Sequence, residues 1–178
     1  VVVSNLGSAP LPGPSLADHR RGPGDAPVVI IYADFECPFC AALHLRLSDL
    51  RVRVVFRHFP VRSSHPRAWA AACAAEAAAR QDQFWEMHDR LFADQARLQD
   101  PHLWQRAQEL GLELERFDAD RRHPDTLARV KRDFQSGVKA GVVSTPAAFE
   151  WRGGHAHRID PRTLAGLDLV TAAPVTGP

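Results

Sequence analysis

Apolar positions recur along this chain at two different periods, and the switches between them mark out the elements. Residues 28–34 begin with an unbroken apolar run, Val28-Val29-Ile30-Ile31-Tyr32, which reads as a buried strand. Pro38 opens a helix that runs through Leu43, Leu47 and Leu50. Residues 51–59 then alternate charged and apolar side chains at period two, the mark of a second strand. A long block at helical period follows. Ser64 and Pro66 open an alanine-rich helix to about Arg80, and Phe84, Trp85, His88, Leu91 and Phe92 recur at helical spacing. Asp100-Pro101 is a cap-plus-first-turn signature for a helix through Leu103, Trp104, Ala107 and Leu110, ended by Gly111. Another helix carries Leu127, Val130, Phe134 and Val138 on one face and stops near Gly141.

The period then returns to two. Residues 147–151 and 155–159 flank Gly153-Gly154 as a β-hairpin, and Asp160-Pro161 starts a last helix through Leu164, Leu167 and Val170. Residues 4–27 hold five prolines among glycines and serines, so 1–27 reads as an extended arm and 173–178 as a tail. Strand-forming segments 28–62 and 141–172 therefore bracket a helical insertion over 63–140. The chain shows no internal repeat.

Composition narrows the function by exclusion. Lys+Arg 22 against Asp+Glu 21 leaves no electrostatic case for nucleic acid. No apolar stretch reaches the roughly 18 residues that cross a bilayer. The nine histidines are dispersed and argue against a dedicated metal tract. The three cysteines, Cys37, Cys40 and Cys73, are too few for a structural disulfide framework once two of them pair.

The candidate chemistry lies at Phe35-Glu36-Cys37-Pro38-Phe39-Cys40, where the first strand passes into the first helix. Two cysteines three apart can close a disulfide across one turn. The first sulfur sits at a helix N-terminus, where unpaired N–H groups and the helix dipole favour a thiolate. So short a loop restrains little of the unfolded chain, which makes the pair weak as a staple and suited to thiol–disulfide exchange. Half of a zinc site is the first rival reading, but no second Cys-x-x-Cys follows, and the site carries no expected metal. Two cysteines serving only as small buried hydrophobes would explain neither the spacing nor Pro38.

Four segments extend the pattern: Asp34-Phe35-Glu36-Cys37-Pro38-Phe39-Cys40, Phe56-Arg57-His58-Phe59-Pro60, Phe84-Trp85-Glu86-Met87-His88-Asp89 and Ser144-Thr145-Pro146. In this order they resemble the DsbA-like thiol–disulfide oxidoreductases of the thioredoxin superfamily, over residues 18–170. The resemblance implies an α/β thioredoxin-like fold with an inserted all-helical subdomain. It implies Cys37 as the exposed nucleophile and Cys40 as the buried resolving cysteine. Pro146 becomes a cis-proline facing the pair, with Thr145 offering backbone groups to an extended substrate peptide. Pro38 and Phe39 shape the site, Phe39 as an apolar surface. The redox group is the Cys37–Cys40 pair itself, with no other cofactor, and the partners are protein thiols or disulfides and a protein that recycles the pair, acting on a monomer.

There are departures. Thioredoxins carry an aspartate six residues ahead of the first cysteine, and here that position is Ile31. Asp34 and Glu36 are the nearby substitutes, although both read as surface residues. No histidine lies between the cysteines, so an intermediate or reducing potential is expected. Cys73 reads as buried and inert, His44 as a surface residue one turn beyond Cys40, His155 and His157 as solvent-facing, and Arg57 and Arg62 as a solvated edge. Two further functional readings stay open. One is a glutathione-dependent isomerase or transferase on the same fold, against which Cys40 counts. The other is a non-catalytic redox-sensing or interaction domain joined through the arm to a membrane protein, since DsbA-like domains resemble modules fused to transporters. Cysteine usage leans to the cytoplasm, or to an extracytoplasmic site if a leader has been removed.

Overall fold

The computed structural model of the protein describes residues 9–167. Its elements run β1 (His19–Arg21), β2 (Val28–Ala33), α1 (Pro38–Ser48), β3 (Arg53–His58), α2 (Ala68–Ala79), α3 (Phe84–Ala93), α4 (His102–Glu109), α5 (Leu114–Arg121), α6 (Pro124–Lys139), β4 (Ala147–Arg152) and β5 (His155–Ile159). The strands form one mixed sheet in the order β1-β3-β2-β4-β5. β2 runs parallel to β3, with Ile31 opposite Phe56, and antiparallel to β4, with Ile31 opposite Ala148.

Central position explains the composition of β2. Val29, Ile31 and Ala33 face a core shared with Leu43 and Leu47 of α1 and with α2 and α3, while Ile30 and Tyr32 face Phe59, Phe149 and Phe134 of α6. Both faces are covered, so the strand carries no alternation. The alanines of α2 do what small residues do in a crowded layer. Ala71, Ala74, Ala75, Ala77 and Ala78 are buried, and α3, α5 and α6 all pack on this one helix. The buried face of α6 is offset from the one expected: Thr126, Val130, Asp133 and Gly137 point inward, whereas Leu127 and Val138 are exposed. Gly137 is the reason. A Cβ there would lie 2.8 Å from Phe59 and 2.9 Å from Tyr32, so only glycine lets the helix come this close to the sheet.

Three other expectations are corrected. The arm is partly a strand, because His19–Arg21 pairs antiparallel with β3 and closes that sheet edge. Arg57 is not on a solvated edge. It is buried, grips both carboxylate oxygens of Asp18 at 3.1 Å, and donates to the carbonyls of Pro12 and Gly13 at 2.8 Å and to the Tyr32 hydroxyl at 3.0 Å. No helix follows Asp160-Pro161 among the described residues. Asp160 N–H bonds the Ala165 carbonyl, and Gly166 at φ +98 presses against Arg158, turning the chain back onto β5; Val170 lies outside the described residues.

Candidate active site

The N-terminus of α1 is capped by Cys37 with no side-chain hydrogen bond, Pro38 holding the first turn. Cys37 N–H donates to the Asp34 carbonyl at 3.1 Å, and the Cys37 carbonyl accepts from Cys40 N–H at 3.1 Å and Ala41 N–H at 3.3 Å. No acidic side chain stands in the first turn, so nothing on the helix repels a thiolate at its end. The two sulfurs are free thiols in this structure.

Their environments differ in kind. A hydrogen bond from Cys40 is the main reason the Cys37 thiol is brought down to about 6, with the Thr145 side chain and the N–H groups of Cys40 and Phe39 assisting and burial opposing. Burial first, and the neighbouring Cys37 second, push the Cys40 thiol well above its ordinary value. Its sulfur accepts only a long bond from Asp34 N–H at 3.4 Å. Exposure does not separate the two, contrary to the expectation for Cys37, which is 3% exposed against 2% for Cys40. The Thr145 carbonyl covers the nucleophile, accepting from its Sγ at 3.5 Å. The Thr145–Pro146 bond is cis.

Asp34 and Glu36 are not the surface residues the sequence suggested. Asp34 is buried, accepting from Glu36 N–H and Val61 N–H at 2.8 Å and lying 2.9 Å from His65 Nδ1. The Glu36 carboxylate takes the backbone N–H and the Nε of Arg67, both at 2.7 Å, at the entry to α2. Gln95 is a functional neighbour that no motif in the sequence marks. From the turn after α3 its amide donates to the carbonyls of Phe35 at 2.8 Å and Cys37 at 2.9 Å, tying the helical insertion to the cysteine loop. A lone glutamine far along the chain gives no local signal for such a role.

Beside the cysteines runs a groove of about 430 Å³ lined by Phe39, Ala42, Arg46, Thr145, Pro146 and Arg162. Phe39 is 65% exposed, an apolar surface at its rim. Other candidates lie elsewhere. Cys73 is buried on α2, which raises its thiol to about 12. His155 and His157 sit exposed on β5, and Arg62 stacks over Trp69. His44 is not a surface residue but packs against His88 and Phe92, on α1 beyond Cys40.

A family described as Thioredoxin matches residues 15–150. The chain belongs to the thioredoxin family. Among solved structures of this fold, the chain resembles BdbD from Bacillus subtilis in its oxidised form, with TM-score 0.70 and 18% identity over 86% of this chain and 90% of that one. Pseudomonas aeruginosa DsbA2 is similar at TM-score 0.65 and 24% identity, covering 89% of this chain and 92% of that one. The arrangement is thus the thioredoxin-like α/β fold shared with these DsbA-like structures, with helices inserted between β3 and β4. A curated relative of another name, the Na(+)/H(+) antiporter NhaA 3 of Salinispora tropica, is 45% identical over 74% of this chain and 21% of its own length. The chain thus spans about a fifth of that protein. No helix among the described residues is long and apolar enough to cross a membrane.

Proposed function

We propose that this thioredoxin-family chain exchanges disulfides with protein thiols through a mixed disulfide at Cys37. The observation that carries this reading is the opposed setting of two sulfurs one helical turn apart, one held near 6 by hydrogen bonds and the other protonated by burial. In the reducing direction the Cys37 thiolate attacks a substrate disulfide. A Cys37–substrate bond forms, the substrate S–S bond breaks, and the departing thiolate takes a proton from solvent. Cys40 then loses its proton and attacks Cys37 Sγ, releasing the second substrate thiol. The substrate gains two electrons, and the pair is left as the Cys37–Cys40 disulfide. In the oxidising direction the same steps run backwards. The cysteine pair is the redox group, and no dissociable cofactor takes part.

The groove beside Thr145 suits an extended peptide, whose backbone would pair with that residue while an apolar side chain rests on Phe39. A thiol-bearing redox partner returns the pair to its starting state. Reduction of insulin by the purified chain, with dithiothreitol as electron donor, tests the proposal. Turnover above the uncatalysed rate is expected, and its absence sinks the reading. The antiporter relative favours a second reading, a redox-responsive module acting within a longer membrane protein. A module of that kind would bind and form the disulfide without catalytic turnover in the same assay.

A further inference from the structure

At the far half of α1, away from the cysteines, lies a second cavity of about 580 Å³, between α1, α3 and the β1 edge. His44, His88 and Asp89 meet on its wall, and one ligand atom from each lies within 4.8 Å of the other two. We propose that these three side chains bind a first-row divalent metal ion such as zinc, with its remaining coordination positions open to the cavity.

The donor set and spacing suit such an ion. Two imidazoles and one carboxylate are the ligands that borderline divalent metals take. Ligands at about 2.0–2.1 Å from a tetrahedral centre stand roughly 3.3 Å from one another. Here His88 Nδ1 lies 2.8 Å and His44 Nε2 3.6 Å from Asp89 Oδ1, so both distances need only small adjustment. The other oxygen, Asp89 Oδ2, accepts from Arg21 Nη1 at 2.7 Å, and Arg21 in turn lies 4.5 Å over the Trp85 ring. That contact orients Oδ1 toward the histidines, the role an outer partner plays at metal sites. Both imidazoles are held toward their neutral, ligating form by burial, His88 down to about 4.

A second observation concerns the other nitrogen of His88. Its ring is fully enclosed, and Nε2 has no hydrogen-bond partner. A carboxylate only accepts, so the metal-free ring carries its proton on Nδ1 for Asp89 and leaves a bare lone pair at Nε2. The surrounding Phe35, Phe56, Phe92 and Trp85 rings offer that lone pair nothing, whereas aromatic faces do accept an N–H. A metal on Nδ1 moves the proton to Nε2, and the buried orphan becomes a donor among π systems without any net proton release from this ring.

The rival cluster lacks these features. Glu76 Oε1 is already shared by His19 Nε2 and His58 Nε2, each at 2.7 Å, with Arg129 at 3.9 Å, and neither that carboxylate nor those histidines line any of the described cavities.

The test uses the full chain with Cys37→Ser and Cys40→Ser, so that the thiolates do not compete for metal. Titration with Zn(II) followed by calorimetry should give one site per chain. Co(II) should give visible d–d absorption without thiolate charge transfer. Nitrogen-15 spectra of the histidines should show the proton of one buried ring moving from Nδ1 to Nε2 on addition of Zn(II). His44→Ala and Asp89→Asn, both partly exposed positions, should each weaken binding by at least about tenfold, while His19→Ala should not. Absence of a stoichiometric site, or binding that survives both substitutions, overturns the proposal, as does binding lost only in His19→Ala.

Discussion

The two ends of helix α1 carry reactive side chains by different means. At its N-terminus the sulfurs are governed by each other, by the backbone and by Thr145: Cys40, the N–H groups of the first turn and both the side chain and the carbonyl of Thr145 surround Cys37. Toward its C-terminus His44 belongs to a cluster made wholly of side chains, from α1, α3 and β1. The cysteine pair itself is written in contiguous sequence and only its Thr145 cover comes from afar, while the histidine–aspartate cluster, drawn with Arg21 from three elements, exists only after folding.

The sharpest break between the two is chemical. Cys37→Ser should reduce insulin reduction to the uncatalysed rate with the far-ultraviolet dichroism unchanged, and Cys40→Ala should accumulate a mixed disulfide visible on non-reducing gels. At the other end the cost falls on stability. His88 is 1% exposed inside an aromatic shell, so His88→Ala should lower unfolding free energy by about 2–5 kcal/mol in urea. Asp34→Asn is intermediate. The substitution leaves the donors of Glu36, Val61 and His65 with one oxygen and an opposing amide, a loss of about 1–3 kcal/mol. It also removes a negative charge that raises the Cys40 thiol, so that thiol should titrate lower.

The same contrast was present in what the sequence allowed. Strand, cysteine pair, second strand and hairpin were legible because each is a local pattern, and Thr145-Pro146 could be placed through its resemblance to a family segment. Arg57 was not legible, since alternating charge in a strand ordinarily marks a wet face, and only the fold brings Asp18 and the Pro12 and Gly13 carbonyls onto it. β1 is three residues between proline-rich stretches, too short to show a period. The end of β5 misled for a different reason. Asp160-Pro161 is a helix opener, but Leu164 and Gly166 at positive φ turn the chain instead. His44 and His88 lie far apart in sequence, so dispersal along the chain concealed their contact.

Smaller effects sharpen the picture at the sulfurs. In the reduced protein the thiolate absorbance of Cys37 should titrate near pH 6. Its folded value lies below the ordinary 9.0, so the stability it contributes is complete above pH 9 and is lost as pH falls through 6. Cys40 acts in the opposite sense, its contribution being complete below pH 9 and lost at higher pH. Urea midpoints of reduced and oxidised protein compared from pH 5 to 9 would check the sign. Gln95→Ala should be mildest, about 1 kcal/mol, with a small upward move of the Cys37 titration as its loop loosens.

That glutamine also makes the helical insertion a clamp on the cysteine loop. Its amide holds the carbonyl of the very residue that carries the nucleophile, and Arg67, which grips Glu36, holds the Ala96 carbonyl in the same turn. The segment between α3 and α4 is therefore fastened to the cysteine loop at two neighbouring points, Cys37 through Gln95 and Glu36 through Arg67, independently of the sheet. The helical insertion thus holds the loop by the carbonyl of the nucleophile's own residue while leaving its sulfur untouched.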